Sequence, residues 1–408
     1  MTDLDLHFVR SQFPAFAEAS LEGWAFFENA GGSYACRQTI DRLTDFYTKT
    51  KVQPYGPYPA SADAGDQMDQ AHVRLAGLMN VGADELQFGP STSQNTYVLA
   101  HAFRQGWSEG DEIIVTDQDH EANSGVWRRL ADSGIRVLEW GVDPDTGVLD
   151  PADLANLLSD KTKLVAFPHC SNIVAHINPV AEICAMARAV GATTVVDGVS
   201  AAPHGLPDVD ALGADIYLFS AYKTYGPHQG VMIVRDATNN ALANQSHYFN
   251  DGEIHKRLVP AGPDHAQVAA LNGVADYIDL LHEHHFEDGA PAPERGRRVH
   301  DLMRAQETAL VAPLLSYLVD RGDVRIMGPT DPSTRVPTVA FVTEEDPSVV
   351  ANKLVEHKVM AGAGDFYAVR LVEAMGQPAD PGVLRLSFVH YTSPAEVTQA
   401  IEALDEVL

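Results

Sequence analysis

The chain is short of cysteine, of positive charge and of long apolar runs. Its 408 residues include three cysteines, Cys36, Cys170 and Cys184. The number is odd, and the spacing fits neither a disulfide framework nor a zinc site, so they read as thiols of a reducing compartment. Lysine and arginine number 28 against 56 aspartates and glutamates, a formal net charge of −28. That balance repels nucleic acid and anionic membrane surfaces. No apolar run reaches the length of a membrane span, and the most apolar stretch, 308–319, is short and contains Pro313. The opening MTDLDLHFVR lacks a signal-peptide pattern. There is no Gly-x-Gly-x-x-Gly and no phosphate loop for nucleotides. These absences predict a cytoplasmic protein that partners neither nucleic acid nor membrane.

What is present is a chain with 45% hydrophobic residues, enough for a large core and two to three domains. Short apolar runs over 112–117, 134–140, 162–169, 192–198, 214–220 and 230–235 alternate with helical spacing at 71–81 and 179–191. That alternation predicts an α/β fold, a three-layer sandwich with a mostly parallel sheet covered on both faces. From about 265 the character changes. Residues 266–286 read as one long helix. Helical stretches at 297–318, 348–359 and 394–408, with strands at 337–343 and 383–391, predict a smaller C-terminal α+β unit.

The stretch YLFSAYKTYGP, 217–227, places a lysine at the tip of a buried strand, where an ammonium group is costly to desolvate. Other strands end near Asn172 and at Asp197. Parallel strands deliver such ends to one sheet edge. In GPSTSQNTYVLA, Thr92 and Ser93 open a helix, and the N–H groups, hydroxyls and helix dipole there form an anion site. DHEAN, 119–123, follows the strand at 112–117. An anion cradle, a buried carboxylate and a lysine at one edge match the needs of pyridoxal phosphate. Taken singly, these residues have plainer readings: a snorkelling lysine, helix caps, a loop histidine, a turn asparagine, an ion-pair arginine.

Seven motifs in order, FVRSQFPAF with AFFENAGGSYACRQTIDRL, STSQN, DHEAN, HCSNIVAHINP, VVDGVSAAPHG, DIYLFSAYKTYGP and VLRLSFVHYTSPAEV, cover most of the chain. On these residues the sequence resembles the cysteine desulfurase-like branch of the class V aminotransferase superfamily, fold-type I pyridoxal 5'-phosphate enzymes. The resemblance implies Lys223 as the Schiff-base lysine and proton shuttle, and Asp197 as partner of the pyridine nitrogen. It implies His120 stacked on the ring, with Thr92, Ser93 and Ser220 holding the phosphate and Ser200 where the family has a glutamine. Asn172 would lie near the cofactor and substrate, Arg385 would clamp the substrate carboxylate, and Gly31 would border the substrate. It further implies a homodimer with an N-terminal arm (1–25) packing on the small domain, a cofactor-binding domain (26–265), a connecting helix (266–290) and a small domain (291–408).

The departures bear on the reaction. Desulfurases carry a persulfide-forming cysteine on a loop before the C-terminal sheet; the matching stretch, GAGDFYAVRL (362–371), has Tyr367 there. Tyr222 replaces the usual histidine before the lysine, and Pro263 stands where a partner-subunit threonine often reaches the phosphate. The expected function is therefore a lyase of β-elimination type acting on an amino acid without a persulfide cysteine. The alternatives are an aminotransferase using a 2-oxo acid, an amino-acid epimerase, or a non-catalytic protein that keeps the fold. Ser220-Ala-Tyr-Lys223 also fits Ser-x-x-Lys of serine hydrolases, but here the serine ends a strand and the companion motifs are absent. His282 and His285 lie one helical turn apart on what reads as a solvated face, so no metal is expected.

Overall fold

A computed structural model describes residues 3–286 and 288–408. Met1 and Thr2 of the predicted arm, and Glu287 of the predicted connecting segment, lie outside the described residues. The main sheet has seven strands: β1 Leu86–Gly89, β2 Glu112–Thr116, β3 Arg136–Trp140, β4 Thr162–Pro168, β5 Thr193–Asp197, β6 Ile216–Ser220 and β7 Gly230–Val234. Their order across the sheet is β1-β7-β6-β5-β4-β2-β3. Every neighbouring pair is parallel except those made by β7, which runs against both β1 and β6.

Alternation within the strands divides the core between two faces. Phe167, Val196, Tyr217, Phe219, Val231 and Ile233 pack on one side. Ala166, Val195, Ile216, Leu218, Met232 and Val234 pack on the other, against Leu99, Phe103 and Trp127. Because helices cover both faces, these strands read as nearly unbroken apolar runs rather than as alternating ones. A second sheet, all antiparallel, is formed by β8 Arg325–Met327, β9 Thr338–Val342, β10 Gly362–Gly364 and β11 Val383–Ser387, in the order β10-β11-β9-β8. The N-terminal segment lies against this region. Ala25–Phe26 pairs in parallel with Val359–Met360, and Arg10 Nη1 donates to the Tyr391 carbonyl at 3.0 Å and to Glu396 at 2.7 Å. No described helix is long and apolar enough to cross a membrane.

Two sequence expectations need correction. The single helix over 266–286 is two, His265–Ala270 and Asn272–Phe286. Asn272 Nδ2 donates to the carbonyls of Ala269 (3.1 Å) and Gln67 (2.7 Å), so a side chain competes with the helix ladder at the break. Next to it, Gly273 packs so closely on residues 38–39 that a Cβ would collide with the Thr39 backbone. The helix expected at 71–81 spans Pro59–Leu78, with proline at its first position where no N–H partner is needed. Strands β1, β8 and β10 were not anticipated; they have four, three and three residues, too few to show a period.

Candidate active site

Parallel register sets the geometry. Pro168 of β4 is paired with Asp197 of β5, and Asp197 with Leu218 of β6, so the residues that follow these strands reach one edge together. Helix α1, Thr92–Arg104, begins at the same edge, and helix α2, Glu121–Arg128, starts beside it with His120 as its cap. Between them is a cavity of about 170 Å³. Thr92, Ser93, His120, Asn172, Asp197, Ser200, Ser220 and Lys223 all line it. Arg385 and Gly31 stand one layer away. Arg385 Nη1 donates to the backbone oxygen of Asn172 at 3.3 Å, and Gly31 adjoins Glu28, whose Oε1 accepts from Arg385 Nη2 at 2.7 Å.

One end of the cavity is built for an anion. Ser91 caps α1 by accepting the Gln94 N–H, and Thr92 Oγ1 and Ser220 Oγ are hydrogen-bonded at 2.8 Å. The start of α1 can sit this close to the sheet because residue 230 is a glycine, where a Cβ would lie 2.7 Å from the Thr92 nitrogen. This is the arrangement in which a helix N-terminus takes a phosphate.

The floor carries Asp197, 5% exposed, and the wall Lys223, 8% exposed. Among the described residues Asp197 Oδ1 accepts only the Val199 N–H, at 2.8 Å. Among the described residues neither group has an ion-pair partner within 4 Å. Burial raises the Asp197 carboxyl to about 6, with opposition from the Val199 N–H and the Lys223 charge. Burial, and then the charge of Arg385, lowers the Lys223 amine to about 8, against the pull of Asp197 and Glu28. His120 Nδ1 accepts the Ala122 N–H at 3.1 Å, and burial next to Lys223 and Arg385 lowers its pKa to about 4, so the imidazole is neutral.

The residues fit pyridoxal phosphate. A buried acid and a buried amine face one cavity without charged partners, an anion cradle closes one end, and Asn172 Oδ1 is buried with no donor. The Ser-x-x-Lys hydrolase arrangement is not formed, since Ser220 Oγ engages Thr92 and the serine ends β6.

Sequence reasoning missed several residues of this site. Ser91, Gln118 and His228 also line the cavity, as does Tyr222, named above only as standing where the resemblance has a histidine; the rings of Tyr222 and His228 are stacked 4.8 Å apart. Ser91 was within reach as the cap before Thr92; a single His228 past a Gly-Pro turn had no signal. Cys170, remote in sequence from the loop at 362–371, also borders the cavity, but its Sγ donates to the Ala175 carbonyl at 3.1 Å and burial pushes its pKa up to about 12. Tyr367, 71% exposed, does lie at the site: its ring is 5.3 Å from that of His120, and its carbonyl accepts the Glu121 N–H at 2.8 Å. Phe366 and Tyr367 both have positive φ, 51° and 59°, a strained conformation for bulky residues, pinned by the bond from Asn172 Nδ2 to the Phe366 carbonyl.

The chain is similar to known proteins over nearly its whole length. The model of the family described as aminotransferase class-V matches residues 25–288. The aminotransferase-like protein FGM3 of Gibberella zeae is 35% identical, covering 98% of both chains. A cysteine desulfurase of Serratia proteamaculans is 28% identical over 98% of this chain and 97% of its own. The apo structure of cysteine desulfurase from Thermococcus onnurineus shares the fold at a TM-score of 0.86, with 24% identity, covering 100% of this chain and 98% of that one. The sheet, the converging strand ends and these matches together show that the chain belongs to the class V aminotransferase family of pyridoxal phosphate-dependent enzymes, on its cysteine desulfurase-like branch.

Proposed function

We propose that this enzyme is a lyase of β-elimination type that acts on an amino acid and passes no sulfur through a cysteine. The observation that carries this reading is Tyr367. It occupies the strained turn beside His120, the loop on which the resemblance would put a sulfur-accepting thiol. The three cysteines, all buried, have pKa values pushed up by burial, and a protonated thiol is a poor nucleophile.

In this reading Lys223 would hold the cofactor's aldehyde carbon, Asp197 its ring nitrogen and His120 a ring face. Thr92, Ser93 and Ser220 hold the phosphate; Ser200 and Asn172 border the ring. The bound cofactor supplies a sink for negative charge at the substrate α-carbon. Lys223 Nζ, lowered by burial to about 8 in the cofactor-free protein, would take the α-proton close to neutral pH, while the substituent on the β-carbon leaves with its bonding electron pair and carries off a proton. Asp197 would pair with the ring nitrogen and hold it protonated. Arg385, with Asn172 beside it, would orient the substrate carboxylate, and Gly31, packed against Glu28, would border it.

A second reading, transfer of the amino group to a 2-oxo acid, is favoured by the same missing thiol and by the aminotransferase-like name of the Gibberella zeae relative. The homodimer implied by the resemblance is part of this proposal, supported by exposed aromatics at Tyr47, Tyr55, Tyr58, Tyr248 and Phe249. The deciding experiment is an amino-acid panel on the holoenzyme with product identification. A 2-oxo acid plus ammonia, unchanged in Cys170→Ala, supports elimination. Accumulation of pyridoxamine phosphate without ammonia would replace it with transamination.

A further inference from the structure

Arg385 is almost fully enclosed. Nη2 donates to Glu28 Oε1 at 2.7 Å, Nη1 to the Asn172 carbonyl at 3.3 Å, and the Phe366 ring covers the guanidinium face at 3.6 Å. The pair with Glu28 is incomplete. An arginine and a carboxylate gain most from two parallel bonds, yet this pair makes one. Arg385 Nε and Glu28 Oε2 are both buried and both unpartnered. The carboxylate is seated between two glycines: a Cβ on Gly31 would lie 2.8 Å from Oε1, and one on Gly362 would collide with Oε2. The side chain of Glu28 is 30% exposed and that of Arg385 3%, so the acid has a route to water and the base has none.

We infer that Glu28 is a specificity-determining residue, a resident carboxylate that holds Arg385 in place until a substrate carboxylate displaces it. The inference rests on Arg385 being the carboxylate clamp. A buried guanidinium without a counter-charge is unfavourable, so a partner must be present before substrate arrives. Replacing one carboxylate by another on the same guanidinium gains little. A ligand that offers only a carboxylate therefore binds weakly, and one whose amino group also reaches the Lys223 side of the cavity binds through that second contact. The unused Nε–H gives the incoming carboxylate a second bond that Glu28 does not make.

The test is calorimetric titration of the holoenzyme with acetate, which is a carboxylate alone, and with 2-methylalanine, which has no α-proton to lose. Glu28→Gln keeps an oxygen on Arg385 but removes the charge. It should tighten acetate by about tenfold or more and 2-methylalanine by less, so the gap between them narrows. Glu28→Asp, which draws the carboxylate back, should likewise tighten acetate more than 2-methylalanine, and serves if the Gln variant does not fold. Affinities within twofold of wild type, or weakened alike for both ligands in a folded variant, would overturn the inference and leave Glu28 a structural ion-pair partner. Arg385→Lys separates the two levels: if it leaves both affinities unchanged, the clamp itself is wrong, whatever Glu28 does.

Discussion

Thr92 and Ser220, 128 positions apart in the chain, share a hydrogen bond between their side-chain oxygens at 2.8 Å. The bond ties the first turn of α1 to the end of β6, three residues before Lys223. It fixes two hydroxyls and a set of helix N–H groups at one end of the cavity that Asp197 floors.

The first prediction concerns that bond. Thr92→Val keeps the shape and removes one hydroxyl. Pyridoxal phosphate should bind at least about tenfold more weakly, since a hydrogen bond to a charged group contributes roughly 1.5–3 kcal/mol. Pyridoxal, which lacks the phosphate, should be unaffected. Absorbance titration of cofactor-free protein with both compounds checks this, and an equal loss for both would remove Thr92 from the phosphate end.

The second concerns the lysine. Only the free amine attacks an aldehyde, so uptake of pyridoxal phosphate by cofactor-free protein should speed up as pH rises, with a midpoint near 8. Asp197 raises the Lys223 pKa and Arg385 lowers it. Asp197→Asn should therefore move the midpoint down and Arg385→Met should move it up. Lys223→Ala should abolish the near-visible absorption of the lysine-bound cofactor. Stopped-flow absorbance across pH reads all three; a midpoint above 10 would mean the amine is not desolvated as its burial implies.

The third is a stability test with the opposite sign from the usual carboxylate. The Asp197 carboxyl rises on folding from 3.8 to about 6. Between those values the folded chain keeps a proton that the unfolded chain gives up, so its contribution to stability is present below 3.8 and is lost as pH rises through 6. At pH 8 the cofactor-free protein thus carries a penalty of at most about 3 kcal/mol. Asp197→Asn should be more stable than wild type at pH 8, by an amount that shrinks toward pH 4, while binding the cofactor more weakly. Urea melts at several pH values would show it, and a less stable Asn variant at pH 8 would contradict it. Such a trade of stability for function is usual where a charge is buried for chemistry.

Most of this architecture is legible in the sequence because parallel strands carry their ends to one place. Asn172, Asp197, Ser220 and Lys223 follow three apolar runs, and the order of those runs was enough to bring them together. What was not legible depends on contacts between distant segments. Glu28 meets Arg385 across 357 positions, and nothing in FFENAGG announces it. The turn at Phe366–Tyr367 adopts left-handed backbone without glycine, held by bonds from Asn172 and Glu121 that no local pattern encodes. The break at Leu271 arises from an asparagine reaching Gln67, so helical spacing alone ran straight through it.

The last prediction separates a structural role of Tyr367 from a functional one. The residue is 71% exposed and has φ of 59°. Glycine at this position would relieve backbone strain of about 1 kcal/mol, offset by a more flexible unfolded chain, and little apolar burial would be lost. Tyr367→Gly should therefore melt close to wild type. If the phenol ring beside His120 forms the wall that a substrate side chain meets, the same variant should spread its kcat/KM more evenly over an amino-acid panel, with the largest gains for bulky side chains. A variant that melts normally and keeps the wild-type ranking would show that the ring faces solvent only and that the loop acts through its backbone, by the carbonyls it offers to Asn172 and to the first turn of α2.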